Sequence, residues 1–482
     1  MSDIFENKTD LETIGKNVLE YILRYYSKEK LLPPVFPKEK KLKKIMEKIY
    51  STPLPEEPLL IPDKITDFLE EISTHSIKLA HPRYVGHMDS GIIPEIAFID
   101  AFISALNQNM LSWELAPLAT YIENQVITWF ANLFGLPDTH GGTFVSGGTI
   151  ANLTGILLAL YSKHKNAIEE GIYSINKQKI LVSKEAHYSI IKSAAILGLG
   201  TSSVIPVETN AKHQIDIFSL KKKISKIDGE ILSIIGIAGV TNTGTIDPLN
   251  ELADVAADNS VWFHVDAAYG GALILTEKYY TKLKGIEKAD SITFDPHKLL
   301  WMPKSTAMFL VRNKKYLEIL AHNASYMPVH SDVYKDGIDQ RSLGKRTIQG
   351  SRRFDALRIW YLFSRYGKKT IGKAIESRIE ITKLFYERIK NKKNEVFVPY
   401  YKPETNIICF RVAYETKNKE LIIEKTHEKI EENGNAWLSI TKINDEPVLR
   451  MVILNLSTTI EDLMSIYEEL QKVGKRTSTQ IN

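Results

Sequence analysis

Residues 261–271 read Val261-Trp262-Phe263-His264-Val265-Asp266-Ala267-Ala268-Tyr269-Gly270-Gly271. The first half is mostly apolar, as in a strand covered on both faces of a sheet, and it ends on the carboxylate of Asp266. A second run of this kind, Ser291–Phe294, leads through a short turn to Lys298. The carboxyl ends of parallel strands meet at one edge of a sheet, where ligands collect. We therefore expect Asp266 and Lys298 to lie near each other at such an edge.

A lysine and an aspartate in this arrangement suit pyridoxal 5'-phosphate (PLP). The amine of Lys298 would form a Schiff base with the cofactor, and the carboxylate of Asp266 would keep the pyridine nitrogen protonated, so that the ring can take up electrons. Each residue alone is more simply explained, as a surface lysine or as a helix-capping aspartate. The two together, with the motifs described next, favour the cofactor.

Three further segments place polar groups at the ends of candidate strands. The turn Ser146-Gly147-Gly148-Thr149 opens an apolar helix, where backbone N–H groups and the helix dipole can hold a phosphate, although an ordinary helix cap has the same pattern. His187 follows another strand and could stack on the pyridine ring or move a proton, unless it is an exposed loop residue. Thr241 and His297 are additional candidates.

The order of apolar runs and helical stretches predicts the fold class. The candidate strands are residues 143–145, 179–183, 203–207, 233–239, 261–266, 291–294 and 306–311. Alternation of such strands with helices predicts an α/β domain whose mostly parallel sheet has about seven strands.

Sequence pattern divides the chain into three parts. Residues 1–80 form a helical N-terminal segment with an apolar stripe, which could dock on another subunit or on its own body. Residues 81–367 form the large domain, and residues 368–482 form a small α+β domain. This last part has strands near residues 406–412 and 448–454, a helix from 460 to 473, and a polar tail that we expect to fray.

Composition narrows the class of protein. The chain has 482 residues, 62 basic and 58 acidic, so its length exceeds that of one ordinary core and its charge does not suggest a nucleic-acid partner. The single cysteine, Cys409, lies in an apolar run, excludes an intrachain disulfide and is expected to be a buried strand residue. The absence of an apolar run of about 18 residues and of a signal peptide predicts a cytoplasmic protein without a membrane partner. We predict no metal site.

At these motifs the chain resembles the group II PLP-dependent amino-acid decarboxylases, the family of the glutamate, aromatic-amino-acid and diaminobutyrate decarboxylases. The most specific matches are His264–Gly271 and Pro296-His297-Lys298. Supporting matches are residues 81–84, 107–110, 114–117, 350–353 and 449–451. The resemblance extends from His81 to Thr459 and implies the PLP-dependent transferase fold of type I, a homodimer with active sites at the subunit interface, and decarboxylation of an L-amino acid to its amine and CO2.

The resemblance also implies a role for each matching position. Lys298 would form the Schiff base, Asp266 would pair with the pyridinium nitrogen, and His187 would stack on the ring. The other implied cofactor contacts are Ala268 on the second face, Thr241 beside the ring oxygen, and Gly148, Thr149 and His297 at the phosphate. Arg450 matches an arginine that faces the substrate carboxylate in the glutamate-specific branch.

The chain departs from the family pattern in its mobile loop. Relatives carry a tyrosine there that protonates Cα, and the matching position in this chain is Leu343 or Arg341; Tyr334 is close enough in sequence to serve instead. Without a proton donor the reaction would turn to oxygen and give an aldehyde, which is the first alternative. Another PLP chemistry of the same fold type, such as transamination, is the second, and a degenerate binding protein is the third.

The substrate side chain is not decided by the sequence. His87 and Asp89 follow residues 81–84 and should contact the side chain; Asp89 would repel an acidic group and attract a cationic one. His87-Met88 resembles the diaminobutyrate branch, whereas residues 109–117 resemble the glutamate branch. Asp295 stands where many relatives have asparagine, near the expected phosphate, and we expect its side chain to point away.

Overall fold

The computed structural model describes residues 8–28, 33, 40–56, 62–321, 334–335, 338–339 and 342–481. Within these residues the density of internal contacts separates two compact units. Unit 1 comprises Met1–Gly91, Lys383–Lys402 and Ile408–Asn482, and unit 2 comprises Ile92–Thr382 and Pro403–Ile407. The three-part division at residues 80 and 367 rests on sequence pattern and stays a prediction.

Unit 2 contains the main sheet. Its seven strands are β1 (Gly141–Val145), β2 (Gln178–Ser183), β3 (Val204–Val207), β4 (Glu230–Ile237), β5 (Trp262–Asp266), β6 (Ser291–Phe294) and β7 (Ala307–Val311). They lie in the order β1-β7-β6-β5-β4-β2-β3. The pairs from β3 to β6 are parallel, and β7 runs antiparallel to both β1 and β6. The predicted α/β fold with a mostly parallel seven-stranded sheet is confirmed.

The central strands are buried on both faces. Every residue of β5, β6 and β7 is buried, including the polar His264, Ser291 and Thr293, as expected for strands covered on both faces of a sheet. The parallel register sets Asp266 beside Ile237 of β4 and beside Thr293 of β6. The end of β5 therefore lies between the ends of its two neighbours, and Lys298 follows only five residues after Thr293 in the chain.

The described residues of the two units also contain α-helices. Their bounds are α1 (Lys8–Lys28), α2 (Lys40–Ser51), α3 (Ile65–Thr74), α4 (Pro94–Leu106), α5 (Pro117–Leu133), α6 (Gly148–Lys163), α7 (Ala167–Glu170), α8 (Ser189–Ile196), α9 (Ile217–Ile224), α10 (Leu249–Asp258), α11 (Ala356–Ile389), α12 (Lys419–Asn433) and α13 (Ile460–Ile481). Helix α11 is interrupted at Gly367, whose φ of 71° is favourable only for glycine.

A second sheet has four strands in the order β10-β11-β13-β12. Their bounds are β10 (Phe397–Pro399), β11 (Ile407–Val412), β12 (Ser439–Ile443) and β13 (Glu446–Val452). Strands β12 and β13 form a hairpin whose two turn residues, Asn444 and Asp445, have φ of 49° and 64°, as in the type I′ turn that suits the twist of paired strands. The hairpin sets Arg450 opposite Ser439. A separate two-stranded ladder pairs β8 (Tyr334–Lys335) with β9 (Ile338–Asp339).

Two expectations about unit 1 have different outcomes. Cys409 is buried in β11 as predicted, and burial raises the pKa of its thiol to about 12, so it is not a nucleophile. The prediction of a frayed tail after Lys475 is wrong, because α13 continues to Ile481. Ser478 in this last turn is buried and accepts a hydrogen bond of 2.7 Å from the hydroxyl of Tyr414.

Among the described residues, no helix is both long and apolar enough to span a bilayer. In the same part of the chain no cluster of three or more His, Cys, Asp or Glu side chains could hold a metal ion.

A buried ion pair secures the start of the main sheet. Arg352 donates two hydrogen bonds, of 2.9 and 3.2 Å, to the carboxylate of Glu123 in α5, and both side chains are almost fully buried. Glu123 also accepts the backbone N–H of Phe144 in β1 at 3.2 Å. The neighbouring Arg353 pairs with Asp100 at 2.9 Å, but its side chain is 49% exposed.

We predict that Arg352→Ala lowers the free energy of unfolding by about 3–5 kcal/mol, since it leaves the Glu123 carboxylate buried without its cation. Arg353→Ala is the matched control, and it should cost less than about 1 kcal/mol because its ion pair is exposed to solvent. Chemical denaturation of both variants measures the difference, and equal losses would contradict this account of the pair.

Candidate active site

Asp266 is held at the end of β5 by two neutral hydrogen-bond donors. Its Oδ2 accepts from the side-chain amide of Asn152 at 2.8 Å, and its Oδ1 accepts from the backbone N–H of Ala268 at 3.1 Å. Asp266 and Ala268 are both buried. Because each carboxylate oxygen has a donor, the side chain is fixed in one orientation without a cation in contact with it in this network.

Lys298 lies in a tight turn after β6. Its backbone N–H donates to the carbonyl of Asp295 at 3.0 Å, and its Nζ lies 3.4 Å from Oδ2 of the same residue. The Lys298 side chain is 22% exposed, while that of Asp295 is 3% exposed. The expectation that Asp295 points away is therefore wrong, because the turn folds its carboxylate back toward the lysine amine.

The glycine-rich turn packs against the ion pair of Lys298 and Asp295. Helix α6 begins at Gly148, where a Cβ atom would lie only 2.7 Å from Oδ2 of Asp295, so this approach requires glycine. Thr149 follows in the first turn of the helix and is half-buried. Gln349 braces the turn before the helix, since it accepts the backbone N–H of Ser146 and donates to the Ser146 hydroxyl, both at 3.0 Å.

His297 completes this edge. Its Nδ1 donates to the carbonyl of Thr306 at 2.8 Å, and its Nε2 lies 3.7 Å from Oδ2 of Asp295. Burial lowers the pKa of His297, and the Asp295 carboxylate opposes that shift. Oδ1 of Asp295 is buried and has no hydrogen-bond partner among the described residues, which leaves an acceptor for a donor on a bound group.

His187 lies near both predicted catalytic charges. Its Nδ1 contacts the hydroxyl of Ser189 at 2.9 Å and accepts the backbone N–H of Ser189 at 3.3 Å. Burial lowers the pKa of His187 first; the charge of Lys298 lowers it further, while Asp266 and Asp295 raise it. The imidazole is therefore neutral near pH 7. The charges of Lys298 and Asp266, which sequence analysis placed at this edge, both act on its pKa.

Thr241 lies in the turn that follows β4. The turn is closed by the N–H of Gly244, which donates to the carbonyl of Val240 at 2.7 Å, and the N–H of Gly239, which donates to the carbonyl of Thr245 at 3.1 Å. Thr241 is half-buried. The turn belongs to the strand next to β5, and so lies at the same edge of the sheet as Asp266.

The three predicted substrate residues belong to unit 1 and form a cluster of their own. Arg450 is buried; its Nε donates to the hydroxyl of Ser439 at 3.0 Å, and its Nη2 contacts Nδ1 of His87 at 3.3 Å. The His87 ring packs 4.8 Å from that of Trp437. Burial and the Arg450 charge lower the pKa of His87, and the carboxylate of Asp89 opposes them. A guanidinium and a carboxylate thus flank one imidazole.

The proposed proton donor can be located only in part. Tyr334 pairs with Asp339 in β8 and β9, but its side chain and the whole of Arg341 lie outside the described residues. Leu343 is fully buried and has no ionisable group, so it cannot supply a proton.

Sequence analysis missed four residues that shape the two clusters: Asn152, His264, Gln349 and Trp437. His264 stood within the quoted motif and Asn152 in the apolar helix that the glycine-rich turn opens, and polar side chains on an otherwise apolar strand and helix were a usable signal. Trp437 carried no such signal. Its ring comes within 1.9 Å of the position of a Cβ on residue 86, so only glycine fits there.

These residues fit PLP. Lys298 supplies a primary amine, Asp266 supplies a fixed acceptor for a protonated ring nitrogen, and Gly148 opens a helix N-terminus beside them. The orphaned Oδ1 of Asp295 indicates that a bound group would complete the polar contacts of the edge.

Comparison with known proteins agrees with the chemistry of this edge. Residues 45–413 match the family described as the pyridoxal-dependent decarboxylase conserved domain. The chain is 31% identical to the L-2,4-diaminobutyrate decarboxylase of Rhizobium meliloti (strain 1021), over 89% of this chain and 85% of the relative. It is 32% identical to the aromatic-L-amino-acid decarboxylase of Bacillus atrophaeus, over 79% of this chain and 78% of the relative.

A solved structure from Vibrio parahaemolyticus also superposes well. It is the glutamate decarboxylase domain of diaminobutyrate-pyruvate transaminase and L-2,4-diaminobutyrate decarboxylase, with a TM-score of 0.82 and 27% identity. The match covers 97% of this chain and 95% of that one.

We predict that Gly148→Ala weakens PLP binding by on the order of tenfold, which corresponds to about 1.4 kcal/mol. The added methyl group would collide with Asp295 and displace the start of α6 or the turn that carries Lys298. Absorbance titration with PLP measures the effect. In an Asp295→Ala background the same substitution should cost less, because the colliding carboxylate is gone; an equal cost in both backgrounds would contradict this account.

Proposed function

Because the chain belongs to the pyridoxal-dependent decarboxylase family, we propose that Lys298 and Asp266 hold PLP at the carboxyl edge of the main sheet. Family membership confirms the predicted resemblance, the cofactor PLP, and decarboxylation of a small-molecule amino acid as the reaction. The aldehyde-forming alternative is not favoured by these relatives. The assignment of individual residues is our proposal.

One observation supports the assignment most strongly. Asp266 and Lys298 follow neighbouring parallel strands, and His187 lies where both charges act on its imidazole. In our proposal, Lys298 is the amine that condenses with the cofactor aldehyde, Asp266 binds the ring nitrogen, and His187 stacks on the ring with Ala268 on the opposite face. Thr241 would lie beside the ring oxygen, and Gly148, Thr149 and His297 would contact the phosphate.

When bound, PLP supplies the electron sink that accepts the pair left on Cα as CO2 departs. Asp266 makes the sink effective because its carboxylate favours a protonated ring nitrogen. His187, being neutral, would pack on the ring without adding a charge that opposes protonation of the ring nitrogen. Lys298 would supply the amine that takes the place of the product on the cofactor and so releases it.

The proton that replaces CO2 on Cα needs a donor. We propose the hydroxyl of Tyr334, because Leu343 is buried and cannot ionise. The hydroxyl would deliver its proton to Cα and so give the amine. Loss of this step would expose the electron-rich Cα to oxygen and give an aldehyde instead.

For the substrate, we propose an L-amino acid with a cationic side chain. The carboxylate of Asp89 near His87 supports this class, as do the two diaminobutyrate decarboxylase activities named for similar proteins. Arg450 would bind a substrate carboxylate, and His87 would contact the side chain. The relative named for aromatic amino acids makes that class one competitor. The relatives named for aspartate and for cysteine sulfinic acid make the acidic class another.

We further propose a cytoplasmic homodimer with the three-part organisation 1–80, 81–367 and 368–482. Helix α1 supports dimerisation, because Leu11, Leu19 and Leu23 are 69%, 46% and 53% exposed and would be covered by a second subunit. A single cysteine suits a reducing compartment.

The test is to load the purified protein with PLP, offer a panel of cationic, acidic and aromatic L-amino acids in air, and measure CO2, amine, aldehyde and peroxide. We expect CO2 and an amine in equal amounts, with kcat/KM highest for a cationic substrate. An acidic winner would overturn the role of Asp89, and an aldehyde with peroxide would overturn that of Tyr334.

In the same assay, Lys298→Ala tests the catalytic step and Asp89→Asn tests recognition of the substrate side chain. Lys298→Ala should abolish turnover of every substrate, and retained turnover would contradict the proposed active site. Asp89→Asn should raise KM for cationic substrates by about tenfold, while it leaves aromatic ones nearly unchanged.

A further inference from the structure

Asn152 lies at the centre of a buried hydrogen-bond network beneath the proposed ring site. It projects from α6, is 1% exposed, and uses both ends of its amide. Its Nδ2 donates to Oδ2 of Asp266 at 2.8 Å and to the hydroxyl of Ser189 at 2.9 Å. Its Oδ1 accepts from the hydroxyl of Thr293 at 2.6 Å and contacts Nε2 of His264 at 3.0 Å.

On the side of the network away from His187, the indole N–H of Trp262 sets the direction of the hydrogen bonds. The indole N–H of Trp262 can only donate, and it lies 2.8 Å from the hydroxyl of Ser291. The Ser291 hydroxyl is therefore free to donate its own proton to Nδ1 of His264, also at 2.8 Å. Burial lowers the pKa of His264 to about 4, so the ring is neutral. Since Nδ1 accepts from Ser291, the one ring proton is on Nε2.

That proton fixes the orientation of the amide. The Nε2–H of His264 and the hydroxyl of Thr293 both donate to Oδ1 of Asn152, which has two lone pairs to receive them. A rotation of the amide by 180° would turn its NH2 group toward these two donors and its oxygen toward the carboxylate of Asp266. The flipped amide would lose its favourable contacts on both sides, so one orientation is strongly preferred.

The other side of the network connects Asn152 through Ser189 to His187, the proposed stacking residue. The Ser189 hydroxyl accepts from Asn152, so its proton is available for Nδ1 of His187 at 2.9 Å. The backbone N–H of Ser189 points to the same nitrogen at 3.3 Å. With two donors on Nδ1, the neutral imidazole of His187 carries its proton on Nε2.

We propose that Asn152 is a positioning residue that orients Asp266 and sets the tautomer of His187 through one oriented amide, with His264 as the residue that fixes its orientation. The proposal rests on the proposed roles of Asp266 and His187. It adds that loss of Asn152 would disturb Asp266 and His187 together. Asp266 accepts a hydrogen bond from the Asn152 NH2 group, and His187 accepts one from the Ser189 hydroxyl that is bonded to the same NH2 group.

Asn152→Leu tests this hydrogen-bond relay, by which we mean the path from His264 through the Asn152 amide to Asp266 and, by way of Ser189, to His187. Leucine is similar in size to asparagine, but its side chain neither donates nor accepts a hydrogen bond. We expect kcat to fall by about tenfold or more with little change in KM, and the dissociation constant of PLP to rise. The visible circular-dichroism band of bound PLP should also change, because the groups that orient the ring lose their donors. Unaltered PLP affinity and an unaltered band would overturn the proposal.

Thr154→Val is the matched control. Thr154 is as deeply buried on the same helix, but among the described residues its hydroxyl bonds only to the carbonyl of Ile150, at 2.8 Å. Its PLP affinity and circular-dichroism band should equal those of the unaltered protein. An effect as large as that of Asn152→Leu would mean that any change in this helix disturbs the site, and the proposal would fail.

His264 supplies an independent pair of variants, which also decides the case if Asn152→Leu does not fold. His264→Gln keeps an N–H donor near the position of Nε2, whereas His264→Leu removes it. We expect the glutamine variant to retain the PLP band and most of kcat, and the leucine variant to lose both. Equal behaviour of the two would overturn the relay.

Lys298→Ala separates failure of the relay from failure of the proposed function. If Lys298→Ala is inactive while Asn152→Leu is indistinguishable from the unaltered protein, only the relay is wrong. Retained turnover in Lys298→Ala would remove the proposed function itself.

Discussion

The buried carboxylate of Asp266 is the interaction on which the rest of the active site depends. A carboxylate taken out of water is costly unless its oxygens are satisfied, and here an amide and a backbone N–H satisfy them. The sheet supplies the remaining constraint, because the carbonyl of Asp266 accepts the N–H of Ala238 from the neighbouring strand at 2.9 Å. The parallel register therefore sets the position of the Asp266 carboxylate, and the Asn152 amide and the Ala268 N–H lie where they can donate to it.

A second carboxylate nearby has the opposite surroundings. Asp295 is as buried as Asp266, but it lies beside the amine of Lys298 and the imidazole of His297, and one of its oxygens has no partner in the described part of the chain. Asp266, fixed by two neutral donors, thus suits the role of a carboxylate that faces a ring nitrogen. Asp295 suits a group whose contacts change when a phosphate-bearing cofactor enters. Such a contrast in surroundings is how one site gives two carboxylates two roles.

Much of this could be predicted from sequence, because the mostly apolar run of β5 ends on Asp266 and the short strand β6 leads through a tight turn to Lys298. The contacts between distant elements could not. Asn152 lies 114 residues from Asp266, and no periodicity encodes that approach. The direction of the Asp295 side chain depends on the backbone geometry of the turn before Lys298. The closing helix runs through a polar segment to Ile481, where Ser478 accepts a hydrogen bond from the distant Tyr414.

The central claim is that Lys298 is the amine that binds the cofactor. Reduction of the PLP-loaded protein with sodium borohydride makes that bond permanent, and peptide mapping by mass spectrometry then locates the label. The account predicts one modified residue, Lys298, in equal amount to the bound PLP. A label on another lysine, or spread over several with Lys298 unmodified, would contradict it.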